Sequence, residues 1–457
     1  MWNTVDYNNT SESLWKRGLK WLYPGMGVKR WILLMILGAA LAGSGIAILL
    51  GPDILVAFGR SVTHYLRVLG QPGKTPLVKE TGIALAIVGF VIAGIGFRQV
   101  IKSLVVDLLP TDPKDLADII FHKRGLDKEP AMVVIGGGTG LATLLRGLKY
   151  ETEKITAIVT VADDGGSSGR IRSELGIPPP GDIRNTLVAL ANTEPLMEQL
   201  FQYRFDWGEG LQGHSFGNLF IAAMTDITGD FEEAIRTSSQ VLAVRGRVLP
   251  STLTSVTLRA TYADGSSTTG ESVIPQSRKP IYRIQLEPEN CEPVEEAIAA
   301  INAADAIILG PGSLYTSVLP NLLVREIGNA VVTSKAPKIY ICNVMTQPGE
   351  TDGYKASHHV RALLDHVGPG LIDYVIVNTS PIPETLLERY RLEGAIPVEP
   401  DVYAIASLGV TPITAPVISM TNLVRHDSQK LAEVISQVLW ENSPSQGGPL
   451  AKSQRHP

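Results

Sequence analysis

The chain is nearly free of cysteine. Cys291 and Cys342 are the whole set. So widely spaced, they supply neither a disulfide framework nor the ligand spacing of a metal site, and they suggest a reducing compartment for the main domain. A surplus of positive charge is missing as well: the formal net charge of −5 argues against a broad nucleic-acid footprint and favours small-molecule partners. No small-residue cleavage site follows a short apolar core near the start, so no removable signal peptide is expected. At 457 residues the chain has room for two or three domains with full cores.

Long apolar runs are present. No charged side chain interrupts Trp31 to Gly51, which meets the ~20 residues needed to cross a bilayer core. A shorter uncharged run, Thr81 to Phe97, carries Gly82, Gly89, Gly94 and Gly96; it is either a second span or a buried helix. Lys16, Arg17, Lys20, Lys29 and Arg30 before the first run, with Arg98 and Lys102 after the second, fit a hairpin with both ends cytoplasmic, while Arg60, Arg67, Lys74 and Lys79 between the runs oppose it. The expected organisation is a membrane hairpin over 1–102 with spans about 31–51 and 81–97, a juxtamembrane linker over 103–130, a main domain over 131–440, and a Ser-, Gly-, Pro- and Gln-rich disordered tail over 441–457.

The main domain opens on Met132-Val133-Val134-Ile135, then Gly136-Gly137-Gly138-Thr139-Gly140, then an amphipathic stretch from Leu141 to Leu148. It reads as strand, glycine loop and helix, with backbone N–H groups at the helix start facing an anion. The dinucleotide fingerprint fails because Leu141 stands where glycine or alanine is needed, which speaks against a nicotinamide oxidoreductase, and the Lys-Ser/Thr of a P-loop is absent from this stretch. A second strand, Ile155 to Val161, ends in Asp163-Asp164-Gly165-Gly166-Ser167-Ser168-Gly169-Arg170. The short crossover makes the two strands parallel, so both glycine loops face one crevice. Asp163 and Asp164 either hold a ribose or Mg²⁺ there, or form an Asp-Gly turn with Ser167 or Ser168 capping the next helix.

Pro180-Gly181-Asp182-Ile183-Arg184-Asn185 brings a carboxylate, a guanidinium and an amide to another helix start. Asp182 either caps that helix or faces the ligand, and Arg184 suits phosphate oxygens. In Gly213-His214-Ser215-Phe216-Gly217-Asn218, His214 reads as a capping or packing residue rather than a base. Alternation between Ser251 and Leu286 predicts a small antiparallel insertion that either covers the site or pairs with another subunit of a homo-oligomer. Strands at Ala306–Leu309, Lys338–Asn343 and Asp373–Asn378 then deliver Gly310-Pro311-Gly312-Ser313 and the polar loop Met345 to Gly353. His358-His359 lacks metal-site spacing and reads as surface. The fold class is α/β: a Rossmann-like, doubly wound, mostly parallel sheet with a small antiparallel insertion, preceded by two transmembrane helices.

Five segments in order (136–141, 162–170, 180–185, 310–317 and 342–347) resemble the gluconeogenesis factor family, the YvcK-type proteins related to the CofD-like 2-phospho-L-lactate transferases. The resemblance covers about 131–440. It implies a Rossmann-like domain that binds a UDP-sugar such as UDP-N-acetylglucosamine and influences carbon use, cell-wall synthesis and cell shape. It also implies ligand contacts from Gly137, Gly138, Thr139, Gly140, Asp164, Gly165, Gly166, Ser167, Ser168, Asp182, Arg184, Asn185, Asn218, Gly310, Gly312, Ser313, Asn343, Thr346, Tyr390 and Arg425, with the tyrosine on uracil and the arginine on the diphosphate. The alternative it raises is an Mg²⁺-dependent transferase with Asp163 and Asp164 on the metal. Against that stands Thr160-Val161-Ala162 where the transferases carry Asn-Thr-Gly. The added hairpin implies a cytoplasmic domain tethered to the membrane.

Overall fold

The structure, a computed structural model, describes residues 29–50, 76–108, 129–192, 195–420 and 424–441. The tail beyond 441, most of the expected linker and the basic residues before Lys29 lie outside the described residues. The chain divides into two compact units, at Arg124/Gly125.

In the first unit, α1 (Lys29–Leu50) and α2 (Pro76–Leu108) pack antiparallel. Glycine sets their approach: a Cβ on Gly38 would lie 2.3 Å from the Ala93 nitrogen, and one on Gly89 would lie 2.2 Å from that of Ala42. Backbones this close gain dispersion contacts that larger residues would forbid. The stretches Trp31–Leu49 and Glu80–Gln99 are long and apolar enough to cross a membrane. α2 differs from expectation at its end, continuing past Phe97 to Leu108 into the segment read as linker. No glycine or proline interrupts residues 98–108, and Arg98 and Lys102 are good helix formers.

The second unit is built on seven parallel strands: β1 (Met132–Gly136), β2 (Ile155–Val159), β3 (Arg247–Pro250), then, after the insertion strands β4 (Thr257–Tyr262), β5 (Ser267–Thr269) and β6 (Ile281–Glu287), β7 (Ala306–Leu309), β8 (Lys338–Ile341), β9 (Tyr374–Asn378) and β10 (Thr411–Ala415). The large sheet runs β10-β9-β8-β7-β1-β2-β3. β1 is wholly buried, as a parallel strand covered on both faces must be. Its alternate residues feed two cores, Val133 and Ile135 on one side, Met132 and Val134 on the other. Helix α3 (Gly138–Leu148) buries Leu141, Leu144, Leu145 and Leu148, each contributing roughly 2 kcal/mol.

Chain order reverses at β1: the chain proceeds outward through β2 and β3, then restarts with β7 on the other flank. Met132 pairs with both Ile155 and Ala306, and at the far ends Gly136 pairs with Val159 and Ile135 with Leu309, so the three strands begin level and finish within a residue of one another. Loops leaving β1 and β7 turn apart and open a crevice at this switch point. The insertion β5-β4-β6 is antiparallel as expected, and a final hairpin pairs β11 (Ile418–Met420) with β12 (Val424–His426).

Candidate functional site: a crevice at the switch point

Gly137 precedes α3 in extended backbone, φ −171°, and no side chain caps the helix. The opening amides and the helix dipole therefore face the crevice. Gly140 permits the loop packing: a Cβ there would lie 2.8 Å from the Pro311 carbonyl oxygen. The third loop turns at Gly310, φ 78°, and passes into a π-helical turn, Leu314–Val318. Asn321 Nδ2 donates to the Gly136 carbonyl at 3.1 Å, tying the third loop's helix to β1. Gln347 Nε2 donates to Ser313 Oγ, and Asn343 Nδ2 donates to Gln347 Oε1 at 3.2 Å.

These elements enclose a cavity of about 470 Å³, within the range of small-molecule sites. On the β8–β9 side stand Tyr390, from the helix Glu384–Glu393, and Arg425 and His426 of β12. The Val424 amide donates to Tyr390 Oη at 3.0 Å, which fixes the strand bearing Arg425. On the β2 side stand Asp163, Asp182 and Glu271. Burial first, then the neighbouring Asp163 charge, pushes the Asp182 carboxyl up to about 6, against the opposing Gly138 amide and Arg184. Burial, followed by Asp163, Glu350, Asp182 and Asp164, pushes Glu271 up to about 8.

Of the expected residues, Gly137, Gly138, Thr139, Gly140, Asp163, Asp182, Gly312, Ser313, Asn343, Tyr390 and Arg425 line this cavity. Others lie outside it. Asp164 accepts the amides of Glu271 and Ser272, binding the insertion to the second glycine loop. Ser167 and Ser168 are buried and receive hydrogen bonds from Asn218 Nδ2 at 3.1 and 3.4 Å. Neither serine caps its helix, which starts after Gly165 with Gly166. Arg184 is buried, donates to Ser215 Oγ and to Asn185 Oδ1, and does not line the cavity. Thr346 Oγ1 receives the Ile396 amide at 2.9 Å. Gly310 serves as the turn.

His214 packs as expected, its Nδ1 3.1 Å from Ser167 Oγ, with Ser215 capping the following helix. The surface reading of His358-His359 is corrected for His359, which is fully buried in the helix Ala356–Val367; it falls on that helix's apolar face, beside Ala356, Val360 and Leu363. Glu271, Gln347, Ser317 and His426 were missed. Ser317 and Gln347 fall inside segments that carry the family resemblance, and His426 directly follows Arg425. Nothing local to Glu271 signals its place, because the insertion carries it there. Among the described residues no group of three or more His, Cys, Asp or Glu side chains is arranged to hold a metal. With Asp164 committed to backbone amides, Mg²⁺ would have Asp163 and Asp182, the third carboxyl of the wall, Glu271, holding its proton to about 8.

Fold and crevice together define a Rossmann-like α/β protein with an open crevice at the switch point of its sheet. The sequence model of the family described as 2-phospho-L-lactate transferase CofD matches residues 132–418, and the chain belongs to that family. The gluconeogenesis factor of Bacillus subtilis is 52% identical over 69% of this chain and 100% of its own length. That of Halalkalibacterium halodurans is 54% identical, over 67% of this chain and 96% of its own. A Nostoc sp. relative, 48% identical, spans 91% of each chain and so extends into the first unit. A crystal structure of a Bacillus halodurans protein, 54% identical, superposes with a TM-score of 0.66 over 67% of this chain and 99% of its own. The resemblance drawn from five short segments is borne out.

Proposed function

We propose that this chain is a gluconeogenesis factor that binds a nucleotide sugar of the UDP-N-acetylglucosamine kind at the switch-point crevice, and through it influences carbon metabolism, cell-wall synthesis and cell shape. The polarity of the crevice carries this reading. Tyr390 and Arg425 at one side suit a base and a phosphate, and the uncapped start of α3 suits the diphosphate. Asp163, Asp182 and Glu271 suit sugar hydroxyls, which both donate to a carboxylate and accept from a protonated carboxyl. Through α1 and α2 the domain is held at the cytoplasmic face of a membrane. Calorimetric titration of UDP-N-acetylglucosamine into the full chain in detergent micelles tests the reading; absence of heat and of any thermal shift up to millimolar ligand overturns it.

The family match over residues 132–418 favours a second reading, a transferase of a phosphate-containing group. Mg²⁺ would then be shared between the donor diphosphate, Asp163 and Asp182, where it would neutralise developing charge. Turnover of a nucleotide-activated phospholactate, lost in Asp163→Asn, supports it; inertness with Mg²⁺ present rejects it.

A further inference from the structure

Behind the third loop lies a second cavity of about 510 Å³, walled by β6 and by the helix Ala356–Val367. Two guanidiniums, of Arg283 and Arg361, line it. Neither has a hydrogen-bond or ion-pair partner among the described residues, although both line the same cavity. The strand is built to present Arg283, and the helix supplies Arg361. Thr261 pairs with Arg283 and Tyr262 with Ile281, leaving Tyr282 as an extra residue in a β-bulge, and Tyr282 and Arg283 both line the cavity and are both exposed. A bulge gives up ladder pairing to re-aim side chains, a device common beside binding sites. His366 clamps the two walls together: its Nε2 accepts the Ile284 amide at 3.0 Å while Nδ1–H donates to the Ala362 carbonyl at 2.7 Å.

The cavity shares a wall with the crevice. Tyr315 lines the second cavity, whereas Ser313, Thr316 and Ser317 of the same loop line the first. The Tyr315 hydroxyl is 2.8 Å from that of Tyr354, and its ring meets His366 edge-on at 5.9 Å.

We infer that this cavity is a second ligand site, taking a small sugar phosphate, and that its occupancy alters ligand affinity in the crevice through Tyr315. Two partner-free guanidiniums lining one cavity match a phosphate monoester. The carboxylates of Asp365 and of Asp352, the latter through the oxygen not taken by the Gly349 amide, also line the cavity; they accept hydroxyl hydrogen bonds from the sugar and disfavour a polyphosphate. Tyr282 and Tyr354 offer faces to the ring. The coupling, though not the site, rests on the crevice binding a nucleotide sugar.

Glucose 6-phosphate titrated into the full chain in detergent micelles tests the site. Expected is saturable binding, absent with glucose, weakened roughly tenfold or more in Arg283→Ala and in Arg361→Ala and unchanged in Arg425→Ala. Both arginines are exposed, and unshifted melting temperatures would confirm that the variants fold. Absence of binding up to millimolar ligand, or binding lost in Arg425→Ala and kept in Arg361→Ala, overturns the proposal. For the coupling, saturating glucose 6-phosphate should change the affinity for UDP-N-acetylglucosamine, and Tyr315→Phe should reduce that change while retaining the sugar phosphate; an unchanged affinity overturns the coupling. Failure of the wild-type chain to bind UDP-N-acetylglucosamine instead counts against the crevice reading and leaves the first titration decisive for the second site.

Discussion

The Asp164 carboxylate receives the Ser272 amide at 2.9 Å and, through its other oxygen, the Glu271 amide at 3.1 Å. One side chain from the second glycine loop thereby holds the insertion in place and brings Glu271 to the crevice. Asp164→Ala should cost about 1–3 kcal/mol of stability in urea unfolding and weaken nucleotide-sugar binding as well. A variant that keeps both would show that the insertion holds its position by packing alone.

Gly140→Ala should separate the first and third loops, because the new Cβ would meet the Pro311 carbonyl at 2.8 Å, a backbone contact with no flexible end to yield. Overpacking of this kind costs about 1–3 kcal/mol. Titration should show at least roughly tenfold weaker UDP-N-acetylglucosamine binding, accompanied by a lower melting temperature.

Tyr390→Phe retains the ring and removes the acceptor for the Val424 amide. Loss of that hydrogen bond should cost about 1 kcal/mol, or roughly fivefold in affinity, through freedom gained by the strand bearing Arg425. Tyr390→Ala should cost more. Calorimetry that finds Tyr390→Phe equal to wild type would leave the ring as the tyrosine's whole contribution.

Glu271 holds its proton to about 8, so near neutrality it is mostly uncharged beside the expected diphosphate. As pH rises through that value a new negative charge forms, and affinity for the anionic ligand should fall. Glu271→Gln should preserve binding near pH 7 and flatten the decline above it. An alkaline decline unaltered by the substitution would assign it to another group.

Burial holds His359 at about 4, below its ordinary 6.5, against the opposing bond to the Lys355 carbonyl. Between those values the unfolded chain binds a proton that the folded chain does not. The stabilising contribution is therefore complete above 6.5 and is lost as pH falls toward 4, by up to roughly 3 kcal/mol. His426, also held at about 4 by burial, acts with the same sign. Urea midpoints taken near neutrality and near pH 4 should converge in His359→Asn relative to wild type.

Much of the fold was legible because its signals are local. β-branched runs ending in glycine marked β1, β2 and β7, and alternation marked the insertion. The first and third loops proved readable as crevice walls for the same reason, since backbone amides at a helix start need only glycine and a preceding strand. Side chains were harder. Ser167, Ser168, Arg184 and Asn218 carry the right chemistry at the right loop ends, yet none lines the crevice, and the hydrogen bonds they make run to one another, to Asn185, to His214 and to Ser215.

By itself the sequence determined the two apolar helices, the parallel α/β order, the family and the glycine turn at Gly136–Gly140, because each depends on residue type over a short stretch. Tertiary structure alone decided which carboxylates line the crevice. Asp163 and Asp164 are adjacent in the chain, yet one lines the crevice while the other is taken up by the amides of Glu271 and Ser272, more than a hundred residues away. Partnership across that separation is set by packing of the insertion against the sheet, and no local pattern encodes it.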